Sequence, residues 1–141
     1  MIAVNQSLHK PINVLLVDDS ITIRKVLKNV LKSEDKIIVR AEAGDAMTAM
    51  QIIEEGFDGI VVIDINLPDL DGIKTIRQIK QIRPALPVIV LSFQSDIRYL
   101  QESFKAGASG FVLKERAYED LIKAIRSVAD QTKFISIDLV P

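Results

Sequence analysis

Five short apolar runs, at residues 14–17, 37–39, 60–63, 88–91 and 110–113, alternate with segments in which apolar residues recur every three or four positions. Runs this short suit strands rather than helices, and their near-continuous apolarity predicts strands covered on both faces of a parallel sheet. Between them Ile23, Val26, Leu27, Val30 and Leu31 form a helical stripe, with Ser20 placed to cap its N-terminus. The stripes Met47, Met50, Ile53, then Ile73, Ile76, Ile79, then Ile97, Leu100, Phe104, then Leu121, Ile122, Ile125, Val128 repeat the pattern. All five are expected to face the core. Gly56, Gly72 and Gly107, with Pro68, Pro84 and Pro87, fall in the gaps, where turns need them. Strict strand and helix alternation predicts an α/β fold, a doubly wound five-stranded parallel sheet. Residues 133–141 are half apolar and come after the last helix with no assigned partner.

In such a sheet, ligands bind outside the carboxyl ends of the strands, near the point where strand order reverses. Four strand ends are polar: Asp18 and Asp19 after the first, Asp64 after the third, Ser92 after the fourth and Lys114 after the fifth. The second strand has no equivalent group, as expected for an edge strand away from the site. Taken singly, each residue has an ordinary explanation as a cap, a turn or solvated surface. Those explanations do not account for acids, hydroxyl and lysine converging together. Three carboxylates at one sheet edge repel one another unless a cation sits among them. An oxygen-only donor set points to Mg²⁺ rather than Zn²⁺, because the sole histidine, His9, lies in the N-terminal arm. A carboxylate beside Mg²⁺ can attack phosphorus, and Lys114 and Ser92 could absorb charge on the phosphoryl oxygens.

Composition narrows the alternatives. With 141 residues and 48% apolar content the chain fits one domain. Its 18 basic and 19 acidic residues give no overall field that would draw it onto nucleic acid or an anionic membrane. There are no cysteines, which removes thiolate chemistry and suits a cytoplasmic location. No stretch is long and apolar enough for a signal sequence or a membrane helix.

These residues resemble the response-regulator receiver family over about residues 12–131. The stretch Val14-Leu15-Leu16-Val17-Asp18-Asp19-Ser20 is similar to the family's acidic-pair strand, and residues 62–72 to its phosphorylation loop. Residues 87–92 and 105–114 match its hydroxyl and lysine motifs. The resemblance implies a flavodoxin-like sheet of order 2-1-3-4-5. It implies that Asp64 accepts a phosphoryl group from a sensor histidine kinase or phosphotransfer protein. It also implies that Asp19, Asp64 and the Asn66 carbonyl hold Mg²⁺, with Asp18 acting mainly through water. Ser92 and Lys114 would grip the phosphoryl group. Phe111, the family's switch aromatic, would turn inward as Ser92 moves, relaying the signal to the face of the fourth helix, fifth strand and fifth helix. Homodimer formation on phosphorylation belongs to the same expectation, as do autocatalysed phosphotransfer and slow autodephosphorylation in place of ordinary enzymatic turnover.

Residues 118–125 and 134–136 resemble the NarL-type branch, whose members continue into a DNA-binding domain. Residues 1–11 read as an arm, 12–131 as the receiver and 132–141 as a tail or truncated linker. The chain is then either a single-domain regulator or a receiver cut from a longer protein. Two positions depart from the family pattern. Glu115 replaces the frequent proline, so its cis peptide is not expected, and Phe93 stands where a small residue is usual, narrowing access to Asp64. A dehalogenase-type phosphatase would need an acid at Asn66, and an EF-hand would need an oxygen ligand at Pro68. The competing class is a pseudo-receiver, a protein-binding module that works without phosphorylation.

Overall fold

The computed structural model describes residues 10–136; most of the N-terminal arm, His9 included, and residues 137–141 lie outside the described residues. In chain order the elements are β1 (Ile12–Val17), α1 (Ile21–Lys32), β2 (Ile37–Ala43), α2 (Ala46–Glu54), β3 (Ile60–Asp64) and α3 (Gly72–Ile82). Next come β4 (Val88–Ser92), α4 (Ile97–Ala106), β5 (Gly110–Leu113), a 3-10 turn (Lys114–Arg116), α5 (Ala117–Ala129) and β6 (Phe134–Ile135). All strand pairs are parallel, in the order β2-β1-β3-β4-β5-β6. The flavodoxin-like order is as expected, and β2 is indeed at an edge. The chain winds outward from β1 to β2, then returns to β3 on the other side, which sets the switch point between β1 and β3.

Alternation along each strand divides the core in two. Leu15, Val17, Val61, Ile63, Val88, Val90, Phe111 and Leu113 pack beneath α2, α3 and α4. Val14, Leu16, Ile60, Val62, Ile89, Leu91 and Val112 pack beneath α1 and α5. Ser20 caps α1 as expected, its Oγ accepting from the Ile23 N–H at 3.1 Å.

Two expectations change. Phe134 and Ile135 form a sixth strand beside β5, with the Phe134 N–H donating to Ser109 O at 3.1 Å. Their side chains go to opposite faces, Ile135 onto the α2–α4 side and Phe134 onto the α1–α5 side. The supposed tail therefore extends the sheet beyond residue 131. Three stripe residues also leave the core: Val26, Met47 and Ile97 are exposed, Met47 by 76%. In α2 the contact line is Ala46, Ala49 and Ile53, and in α4 it is Leu100, Ser103 and Ala106. Small residues let those helices sit close to the sheet, a contact that a search for large apolar side chains overlooks.

Among the described residues no helix is long and apolar enough to cross a membrane.

Candidate functional site

The carboxyl ends of β1, β3, β4 and β5 bring Asp18, Asp64, Ser92 and Lys114 to one edge. Asp18 is fixed through its backbone: its N–H donates to Ala43 O at 3.0 Å, and Arg24 donates from Nη1 to its carbonyl. Its Oδ1 accepts from the Ser20 N–H at 2.9 Å, so the acid also starts the turn into α1. Asp64 Oδ1 accepts from the Asn66 N–H at 3.0 Å. The loop after Asp64 closes where the Gly72 N–H meets Ile65 O at 2.9 Å. A Cβ on Gly72 would lie 2.5 Å from that oxygen, so only glycine permits the closure that shapes the acceptor loop.

Lys114 bridges the two buried acids, with Nζ 2.8 Å from Asp18 Oδ2 and 3.0 Å from Asp64 Oδ2. Asp18 is 1% exposed and Asp64 4%. Burial pushes the Asp64 carboxyl above its ordinary pKa, although the Asn66 N–H and the Lys114 ammonium pull against it. Burial works against the charge on Lys114, but Asp18 and Asp64 outweigh it and hold the ammonium above its ordinary pKa. The contact with Asp18 Oδ2 is an ion pair without hydrogen-bond alignment, and among the described residues that oxygen has no other hydrogen-bond partner. A shielded carboxylate oxygen without an aligned donor can be satisfied by a cation. Asp19 is exposed at the mouth, and one ligand atom from each of Asp18, Asp19 and Asp64 lies within 4.8 Å of the others. These three acids could hold a divalent ion. Asn66 is exposed beside them and bridges to Asp71 across the loop.

Ser92 is fully buried, and its Oγ accepts from the Gln94 N–H at 2.8 Å. The return contact to Gln94 O is long, 3.4 Å, so the hydroxyl proton is weakly engaged. Phe111 is also fully buried. Alternation along β5 puts it on the α2–α4 face of the sheet, where it packs with Leu100 and Ala106 of α4. Phe93 is exposed, and its ring centroid is 4.8 Å from Lys114 Nζ. The ammonium is therefore roofed by an aromatic face as well as flanked by carboxylates. The Lys114–Glu115 peptide is trans.

Sequence reasoning missed the supporting residues. Arg24 Nε and Lys28 Nζ both donate to Glu42, at 3.0 and 2.8 Å, tying α1 to β2 behind Asp18. Asp69 accepts from the Ala46 and Met47 N–H groups at 2.9 and 3.0 Å, joining the acceptor loop to the start of α2. Arg24 and Lys28 stand one helical turn apart on α1, a spacing visible in the sequence. Neither Glu42 nor Asp69 carries a local signal, because their partners are distant in sequence.

The response regulator receiver domain family matches residues 14–126. The chain is 32% identical to the transcriptional regulatory protein DegU of Brevibacillus brevis over 124 residues, which is 88% of this chain and 52% of DegU. It spans about half the length of the curated relatives it matches. Its fold is similar to a LuxR-family two-component response regulator from Aurantimonas sp. SI85-9A1, with a TM-score of 0.88 and 29% identity over 92% of this chain and 93% of that one. The receiver domain of RcsB from Salmonella enterica, solved with the phosphomimetic BeF3-, has a TM-score of 0.85 and 25% identity, covering 92% and 96% of the two chains.

Proposed function

This chain belongs to the response-regulator receiver family, in its LuxR/NarL-type branch, and on that premise we propose that it is a cytoplasmic, Mg²⁺-dependent switch in which Asp64 accepts a phosphoryl group. The donor is a phosphohistidine on a sensor kinase or phosphotransfer protein. An Asp64 carboxylate oxygen forms the new O–P bond while the N–P bond of the phosphohistidine breaks, and the imidazole leaves with the electron pair. The observation that carries this reading is Lys114, which bridges two buried acids at adjoining strand ends.

Mg²⁺ would be held by Asp18, Asp19, Asp64 and the Asn66 carbonyl, and when bound it supplies positive charge beside the phosphoryl oxygens. The unaligned Asp18 Oδ2 and the oxygen-only donor set support that ion. The chain's own residues do the rest. The Asn66 N–H orients the Asp64 carboxylate and favours its ionised form. Lys114, already against Asp64 Oδ2, carries the charge of one phosphoryl oxygen, and Ser92 donates its weakly engaged proton to another. When Ser92 turns to the phosphoryl group, its bond from Gln94 is lost and the 92–96 loop that feeds α4 must repack. Phe111 packs beneath that helix, which routes the change to the face of α4, β5 and α5.

Homodimer formation is the proposed response, since the similar protein RcsB is described as dimers bound to DNA. The test is intact mass after incubation with Mg²⁺ and acetyl phosphate. Wild type should gain one phosphoryl group, and Asp64→Asn should gain none. A wild-type chain that gains no mass is a phosphorylation-independent binding module instead.

A further inference from the structure

Lys114 has a phosphoryl-binding role in the reading above, and the present inference rests on it. The ammonium is only as well placed as the end of β5 that carries it. On one side that end is paired with β4, Leu113 opposite Ser92. On the other side β6 stops at Ile135, one residue short of covering it, and Ser136 takes over. Its N–H donates to Phe111 O at 3.0 Å, and its Oγ accepts from the Leu113 N–H at 3.0 Å. The same hydroxyl donates to Asp120 Oδ2 on α5 at 2.8 Å. Asp120 in turn receives Arg116 Nε at 2.9 Å. Leu113 and Arg116 flank Lys114 in sequence, so one buried pair, Ser136 and Asp120, holds the chain on both sides of the lysine.

The pair is sealed. Ser136 has no exposure and Asp120 is 3% exposed. Burial alone would raise the Asp120 carboxyl, but Arg116 and Ser136 outweigh it and keep it below the usual carboxylate range. A serine that only filled space at a strand end would not need both a backbone donor and a buried carboxylate.

We infer that Ser136, acting with Asp120, is a positioning residue that fixes the β5 end and so aims Lys114 at the phosphoryl group. Because coupling is reciprocal, a phosphoryl group that draws on Lys114 should in turn tighten the clamp at residue 136. The chain segment through Ser136 is then a responsive part of the switch, separate from α4.

The test uses the full chain and beryllium trifluoride with Mg²⁺. Ser136→Ala should weaken beryllium trifluoride binding by roughly fivefold or more, Ser136→Thr should recover most of the loss, and affinity for Mg²⁺ alone should not fall. In wild type, exchange of the Leu113 amide should slow severalfold when beryllium trifluoride is added, a measurement that needs no variant to fold. Ser136→Ala binding like wild type, a parallel loss of Mg²⁺ affinity, or unchanged Leu113 exchange would each overturn the inference and leave the acceptor role of Asp64 standing. Wild type that fails to bind beryllium trifluoride with Mg²⁺ removes the acceptor reading itself, and this inference with it.

Discussion

Replacing Lys114 with methionine keeps the reach of the side chain and removes its charge, leaving Asp18 and Asp64 facing each other almost without solvent. Removing one partner of a buried ion pair costs about 3–5 kcal/mol, and the open mouth beside Asp19 places this case near 3. At about 3–4 °C per kcal/mol for a domain of this size, the melting temperature should fall by roughly 10 °C at pH 7. The pH dependence identifies the cause. Asp64 already has a folded pKa above its unfolded value, so the folded state holds more protons and stability falls as pH rises between the two. Without the ammonium that upward shift grows, so the penalty is largest at neutral pH and shrinks as the pH drops toward about 4, near the ordinary carboxylate pKa. The raised pKa of Lys114 works in the other direction: its stabilisation is complete below the unfolded lysine value and is lost only as alkaline pH passes the folded one. Mg²⁺ should also stabilise the variant more than wild type, since the competing ammonium is gone. Urea unfolding at pH 7 and pH 4.5, with and without Mg²⁺, measures all of this. An equal loss at both pH values, or no extra gain from Mg²⁺, would refute the argument.

The range of each interaction decides how much of the fold and site was legible in the sequence. Strand ends were readable because Asp18, Asp64, Ser92 and Lys114 each terminate an apolar run, and a parallel α/β sheet must bring such ends to one edge. The bridge itself was not, because spacing cannot say that Lys114 reaches Asp18 as well as Asp64. Helix faces were half readable. Ile73, Ile76 and Ile79 are all buried as their period implies, whereas Met47 is not, because Ala46 and Ala49 take the contact with the sheet. The sixth strand is two residues long, too short for any period to register, and it covers an edge that β5 would otherwise leave open. The contacts of Ser136 were invisible for a related reason: its partners, Leu113 and Asp120, lie 23 and 16 residues away.

Two further predictions concern the rim and the relay. Phe93→Ala removes a ring 4.8 Å from Lys114 Nζ, a contact worth about 0.5–1 kcal/mol at an exposed site. It should speed phosphorylation by acetyl phosphate and shorten the phosphorylated lifetime, both read from mass time courses; rates equal to wild type would show that the ring does not guard Asp64. Ser92→Ala separates acceptance from response. Asp64, the acids and Lys114 remain, so the variant should still take up one phosphoryl group. Its Gln94 N–H, however, has lost its acceptor in the resting state already. Gln94 is exposed, so water can take up that N–H and the lost bond costs only about 0.5–1.5 kcal/mol, enough to approach a typical allosteric coupling, and the 92–96 loop should be loosened before any phosphoryl group arrives. Amide exchange over residues 95–106 should then be faster than wild type at rest and change little on adding beryllium trifluoride, while wild type shows the full change. Equal propagation in the two proteins would mean that the signal leaves Asp64 by a route that bypasses the hydroxyl.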